Sequence, residues 1–428
     1  MADHVARVPA AARAADLALS GAALAAWTPL LAALAAGGCR PRLHRALRMA
    51  RDGSFFLERR LVFPDGRLGR LAHRLGVHRL PSLWNVLRGE LSWIGPRPLK
   101  PFEADPRDPD QRQRDAARPG LVGLWWVRRR ANVGYGTEIE SDLEYVRRKS
   151  VSTDAGLFAR ATAMWFLASE GGAAADTIEI LGHRIDNVTM ASTLDRLSAW
   201  AKGSEPRRVA FVNADCVNRA RADEAYTEAL GTADLVLADG IGMRMAGAML
   251  GQRVRENVNG TDLFPRLCER LEREGLSLYL LGGRPGVAED VAAWAKSRYP
   301  GLEIAGTHHG YYAAAEDDGV VSSIRASAAA VLLVAFGAPK QDLWIAGRLA
   351  ASGARVGIGV GGLFDFYSGR IPRAPAWLRE LGLEWTWRFA QEPGRMWKRY
   401  WVGNVVFLAR VTRARLGRPA RREKEGAE

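Results

Sequence analysis

The sequence predicts an α/β protein. Its C-terminal half reads as a doubly wound, Rossmann-like parallel sheet, and a smaller, mainly helical, membrane-associated domain precedes it. Three observations carry this reading. Short apolar runs alternate with amphipathic ones from Ile178 onward, as strand and helix alternate in a parallel sheet. Residues Leu17 to Cys39 carry no charged side chain, and a basic cluster, Arg40, Arg42, His44 and Arg45, follows at once. The 428 residues are enough for two domains, with small flexible residues between 169 and 176.

Composition narrows the function classes. Lys and Arg outnumber Asp and Glu by 61 to 47, a net charge of +14. That balance suits an anionic partner: nucleic acid, an acidic membrane face or a phosphorylated substrate. Cys39, Cys216 and Cys268 are scattered, so neither a disulfide framework nor a zinc site is expected. No cleavable signal peptide is expected either, because the apolar run lacks a small-residue cleavage site.

The first domain is expected over 1–172. The 23 uncharged residues from Leu17 can cross a bilayer. Pro29 interrupts them, so a bent re-entrant hairpin over 16–39 is expected as readily as a span, with a soluble core helix as the plain alternative. The basic cluster after it places that side at the cytoplasmic face of the inner membrane.

Further on stand Leu83-Trp84-Asn85-Val86, Gly89-Glu90-Leu91-Ser92, Gly95-Pro96-Arg97-Pro98 and Arg118-Pro119-Gly120. In this order they resemble the bacterial monotopic sugar-1-phosphate transferases that load a polyprenyl phosphate. That family places an Asp-Glu pair before the Leu-Pro of this run, as nucleophile and magnesium ligand. This chain has His78-Arg79 there. A guanidinium is a fixed cation and repels a metal. The resemblance therefore implies a degenerate copy kept as a membrane platform. The alternatives are an active or bifunctional sugar-1-phosphate transferase with a rearranged nucleophile.

In the second half, strands are expected at 208–212, 234–238, 277–281, 303–306, 331–335 and 355–360, and helices at 261–274, 286–297 and 342–351. The stretch ADLVLADGIGM turns at Asp239-Gly240, from strand into helix. In a parallel sheet that corner lies at the carboxyl edge, where ligands bind. Asp239 is thus a carboxylate at the mouth of a site, or else the N-cap of the next helix. Lys340-Gln341, after Gly337, stand at another strand exit and could hold nucleotide or sugar, or merely start a helix. Gly283, Gly361 and Gly362 allow a ligand close to the backbone. Thr261-Asp262 resembles an N-cap with an acidic first turn, which capping alone could explain. His308-His309 point to opposite faces if both lie in a strand, so a metal site is not expected there.

GHRIDNVTM, ADLVLADGIGM, NGTDLF, LLGGRPGVAE, GTHHGYY, FGAPKQDLW, IGVGGLFDFYSGRIPRAP and LGLEWTWRFAQEPGRMWKRY follow in register. They resemble the WecG/TagA/CpsF glycosyltransferases, family 26, over a domain expected at 177–396. The resemblance makes Asp239 the base and implies an inverting transfer without metal or other cofactor. It places Asn213, Gly240, Thr261, Asp262, Gly283, Gly337, Lys340, Gln341, Gly361 and Gly362 around the substrates. Arg388, Arg395 and Arg399 match the family's diphosphate-holding arginines. Many members have a Thr two residues before the Asn at 213; this chain has Phe211.

Residues 397–428 are expected to form a basic amphipathic tail on acidic lipid, or a helix packed on the protein. The implied partners are a UDP-sugar donor, a polyprenyl-diphosphate-linked saccharide acceptor and an acidic membrane surface; a homo-oligomer stays open. The rivals are a non-catalytic scaffold of a polysaccharide assembly complex, a nucleic-acid binder and a nicotinamide-dependent oxidoreductase. No nucleic-acid module is recognisable, and the G-x-G-x-x-G fingerprint after a first strand is missing.

Overall fold

The computed structural model describes residues 10–417 apart from 52, 65, 67, 70, 71, 73–75, 104, 106, 132–136, 168–174 and 253. The chain divides into two compact units at residues 173/174. Most of the expected flexible boundary lies outside the described residues.

In the first unit, helix α1 (Ala10–Ala36) is continuous through Pro29. Two helical arms joined by a turn, as a hairpin over 16–39 requires, are not formed. Thr28 Oγ1 donates to Leu24 O at 2.6 Å in the turn that Pro29 interrupts, a bond that bends helices. From Ala12 to Ala36 the helix is long and apolar enough to cross a membrane, and little of it is buried by protein. Its N-terminal turns dock through polar groups. Arg13 donates to Val86 O and Leu87 O, Asp16 accepts from Ser92 Oγ and Trp93 N, and Ser20 accepts from Trp93 Nε1.

Strands β1 (Arg42–Met49) and β2 (Phe55–Val62) form an antiparallel ribbon. Helix α2 (Leu80–Arg88) covers the outer edge of β2, where Ser82 Oγ donates to Arg59 O and Asn85 Nδ2 to Leu57 O. These side chains satisfy carbonyls that a free edge would leave to water. Strands β3 (Ser92–Ile94) and β4 (Gly120–Val122) pair in parallel, and three longer helices, α3 (Leu124–Ala131), α4 (Glu138–Arg147) and α5 (Val151–Leu167), complete the unit.

The second unit holds a six-stranded, all-parallel sheet: β7 (Arg207–Val212), β8 (Leu235–Ala238), β9 (Leu278–Gly282), β10 (Ile304–His308), β11 (Val331–Ala335) and β12 (Val356–Gly359). The spatial order is β10-β9-β11-β12-β7-β8. Except for the half-buried edge strand β10, its strands are largely buried on both faces, which is why they read as apolar runs. A small hairpin, β5 (Thr177–Ile180) and β6 (His183–Asp186), closes the β8 edge, with Asp186 Oδ2 accepting from Val236 N at 2.8 Å. The helices that position the site are α6 (Ala214–Ala220), α7 (Ile241–Met249), α8 (Gly260–Glu274) and α9 (Lys340–Ser352).

The C-terminal segment is not a separate tail over its described part. Helix α10 (Glu384–Gln391), a short helix over Pro393–Trp397 and a π-helical turn over Lys398–Val402 lead into α11 (Gly403–Gly417). Phe407 and Val411, one helical turn apart, are fully buried with Val217, Met243 and Ala246. Each such side chain contributes about 1.5–3 kcal/mol of burial, enough to hold the helix on the unit. The opposite side leaves Trp397, Trp401, Val402 and Val405 exposed. Arg418, Arg421 and Arg422 lie outside the described residues.

Candidate active site

The carboxyl ends of β7 and β8 are tied together where Asp239 N donates to Val212 O at 2.9 Å. Asn213, the N-cap of α6, accepts from Asp215 N and Cys216 N through Oδ1. Its side chain also acts on the Asp239 carboxyl and favours the ionised form. Asp239 is not a cap: α7 is capped by Gly240, with no side-chain bond, and Gly240 N donates instead to Asn257 Oδ1. Burial pushes the Asp239 carboxyl up to about 6, helped by Glu384 and Asp262, while Arg399 and the Asn213 side chain hold it down. That places its charge change close to neutral pH, as a general base requires.

Arg399 lies in the π-helical turn, with Nε 3.4 Å from Asp215 Oδ2 and its guanidinium 5.6 Å from the Tyr400 ring. Tyr400 feels Arg399, Arg388, Asp239 and Glu384 together, so these five side chains share one neighbourhood. Asn218, on α6, fixes the turn that bears Arg399. Its Nδ2 donates to Gly403 O at 2.8 Å, and its Oδ1 accepts from Arg410 at 2.7 Å. One short helix with its cap thus acts on the candidate base, bears the ion partner of the candidate cation and holds the C-terminal helix.

At the exits of β11 and β12, Gln341 Oε1 accepts from Gly337 N at 3.1 Å and from Gly361 N at 2.8 Å. Gln341 is 4 % exposed, so it locks two site loops to each other. Gly362 stands against Arg388; a Cβ there would lie 2.5 Å from a guanidinium nitrogen, so any larger residue would displace the Arg388 head group. Arg388 donates to Asp365 Oδ2 at 3.3 Å and lies over the Phe366 ring. At the exit of β9, Gly283 takes φ +72° and abuts Val287.

More than half of the chain, residues 178–421, matches the family model described as glycosyl transferase WecG/TagA/CpsF. The chain belongs to the WecG/TagA/CpsF family of glycosyl transferases. The bacterial sugar transferase family matches residues 58–168, ahead of it. The activity is therefore glycosyl transfer in polysaccharide biosynthesis.

In this WecG/TagA/CpsF chain the predicted residues fall into groups. Asp239, Asn213 and Arg399 come together, as do Gly337, Gln341 and Gly361, and Gly362 with Arg388. Lys340 is exposed, its Nζ 4.9 Å from the Phe336 ring centre. Thr261 and Asp262 do not cap α8; Asn259 does, accepting from Asp262 N. The φ and ψ of Asn259 are extended, which is what a cap position needs. Thr261 O accepts from Tyr367 Oη, and Asp262 pairs with Arg373, which pairs in turn with Glu384. Asp262 therefore anchors the segment leading to α10. Arg395 lies in the helix Pro393–Trp397, and its side chain lies outside the described residues.

The sequence reading missed Asp215, Asn218, Arg373, Glu384 and Tyr400. Two signals were present: Asp215 and Asn218 share a helix with Asn213, and Glu384 lies one turn before Arg388. His308 and His309 do not point apart. Their rings lie 4.7 Å apart, because β10 ends at His308 and the backbone then leaves the strand. Among the described residues no three His, Cys, Asp or Glu side chains gather as metal ligands.

In the first unit, Arg79 Nη1 donates to Leu121 O at 3.0 Å, and its guanidinium lies 5.7 Å from the Trp126 ring centre. Burial and the nearby Arg60 and Arg129 lower its pKa to about 10, against the pull of Glu58. At neutral pH it is a cation, and His78 precedes it. The residues at these two positions do not fit a magnesium ion.

Proposed function

We propose that the second unit moves a hexose or N-acetylhexosamine-type sugar from a UDP-sugar to a polyprenyl-diphosphate-linked saccharide, with inversion at the anomeric carbon. The carrying observation is the Asp239 carboxyl at the sheet edge, raised toward neutral pH and flanked by Asn213 and Arg399. Asp239 takes the proton of the acceptor hydroxyl as that oxygen bonds the anomeric carbon. The bond from that carbon to the diphosphate breaks, and UDP leaves. Arg399 and Arg388 meet the negative charge that builds on it, in a partly dry site where such contacts are strong. Arg395 belongs to the same set by its place in the sequence. Gly283, Gly337, Gly361 and Gly362 let the substrates approach the backbone, Lys340 is placed to meet them, and Gln341, Thr261, Asp262 and Gly240 shape the loops.

We further infer that the protein works at the cytoplasmic face of the inner membrane. The apolar α1 of the first unit and the exposed Trp397, Trp401 and Val405 of the second support this, since the acceptor lipid stays in the bilayer. The first unit serves as a platform, as His78 and Arg79 do not replace the two carboxylates that the sugar-1-phosphate chemistry uses.

A donor screen with purified full-length protein and a lipid-diphosphate saccharide tests this reading. One UDP-sugar should be turned over with release of UDP, and sugar-1-phosphate transfer to polyprenyl phosphate should stay at background. Phosphosugar transfer with release of UMP would overturn it.

A further inference from the structure

The ribbon of β1 and β2 in the first unit carries a face that, apart from buried Met49 at one end, the described residues leave largely open. Strand residues alternate between faces, and antiparallel partners share one. The register pairs Leu43 with Leu61, Arg45 with Arg59, Leu47 with Leu57 and Met49 with Phe55. On this face Leu43, Leu47, Phe55 and Leu57 are 47 %, 47 %, 55 % and 43 % exposed. On the other, Phe56 and Glu58 are buried, and Glu58 is held by Arg48 and Arg60. The ribbon is therefore anchored on one side and open on the other.

The open face alternates in kind as well: a leucine pair, an arginine pair, a second leucine pair, then exposed Phe55 opposite Met49, which is buried. Like charges directly opposite each other in a sheet repel. Among the described residues no carboxylate pairs with Arg45 or Arg59, whereas Glu58 compensates the arginines behind them. An anion lying between Arg45 and Arg59, with apolar chains on either side, satisfies the whole face at once. A bilayer surface with anionic phosphate groups has that composition. Continuity points the same way. Helix α1 ends at Ala36 and the ribbon begins at Arg42. Such a connection spans no more than about 20 Å even when fully extended.

We propose that this ribbon face lies on the anionic membrane surface, with Leu43, Leu47, Phe55 and Leu57 among the lipid chains at the headgroup boundary and Arg45 and Arg59 on lipid phosphate. The proposal rests on the membrane reading of α1 given above, and its test separates the two.

The test is spin-label depth in full-length protein, in vesicles with and without phosphatidylglycerol. The three native cysteines are buried and leave single introduced thiols to be labelled. Leu47→Cys and Leu57→Cys report the open face, His44→Cys the opposite face and Ala25→Cys helix α1. In anionic vesicles, labels at 47 and 57 should collide with oxygen and be several-fold less accessible to a water-soluble nickel chelate than the label at 44. Arg45→Glu with Arg59→Glu should remove that protection at 47, and neutral vesicles should weaken it. Equal chelate access at 44, 47 and 57, with 25 protected, would overturn the proposal and leave α1 in the membrane. Chelate access at all four positions would overturn the membrane reading itself. Labels at 47 and 57 shielded from both oxygen and chelate would mean that protein, such as a second copy, covers the face, which also overturns it.

Discussion

Arg399 Nε stands 3.4 Å from Asp215 Oδ2, and the same guanidinium acts on the Asp239 carboxyl. The cation is thus shared between a fixed partner and the candidate base. Removing it with Arg399→Gln withdraws a charge that favours the ionised Asp239, so the carboxyl rises beyond about 6. The acid limb of the pH–rate profile should move to higher pH, and the plateau should fall by about 10²-fold through weaker diphosphate stabilisation. Steady-state rates between pH 5 and 9 check both effects; an unmoved limb would separate Arg399 from Asp239.

Asp239 also has a stability signature. Its folded pKa is raised, so between about 4 and about 6 the native state binds more protons than the unfolded chain. Stability therefore falls as pH rises through that window, and the full cost is present above it. Asp239→Asn removes the charge and should be more stable than the native protein at pH 8, by up to about 3 kcal/mol, with the difference vanishing below about pH 4. Denaturant titrations at the two pH values measure this. A destabilised variant at pH 8 would mean that the carboxylate is held for structure.

Asn218 brackets α6 to α11 through Gly403 O and Arg410. Asn218→Ala should cost about 1–2 kcal/mol for the two lost bonds. It should also raise the donor KM several-fold, because the turn bearing Arg399 is no longer fixed. The acid limb should move slightly to higher pH, in the same direction as for Arg399→Gln but by less, because Arg399 is held less firmly beside Asp239. A loss of stability with unchanged donor KM would limit Asn218 to packing.

Gln341→Leu leaves two backbone N–H groups, of Gly337 and Gly361, without their acceptor in a buried place. The cost should be about 2–4 kcal/mol. A thermal melt gives the stability, and Gln341→Glu should recover much of it by restoring an acceptor oxygen. Full stability in the leucine variant would show that the two loops are held by something else.

Much of the sheet was legible because its strands, apart from the half-buried edge strand β10, are short, apolar and largely buried on both faces. Val331–Ala335 was read to the residue. Other strand ends moved by one or two residues, since pairing rather than apolarity ends a strand; β10 runs to His308 because it pairs with Leu281. Asp239, Asn213 and Arg399 were legible from motif order. What was not legible depends on contacts distant in sequence. Asp262 meets Arg373 across 111 residues, and nothing local to either announces it. Phe407 and Val411 carry the same apolar spacing whether they face lipid or protein, so their burial needed the fold. Asn259 and Thr261 both suit a cap, and only backbone conformation decides between them.

The central claim is that one carboxylate at the sheet edge removes the acceptor proton. Single-turnover sugar transfer from the identified UDP-sugar, compared between the native protein and Asp239→Asn at pH 7.5, tests it most directly. The account predicts a loss of about 10²–10⁴-fold in the chemical step, with donor binding retained. Equal single-turnover rates in the two proteins would contradict it.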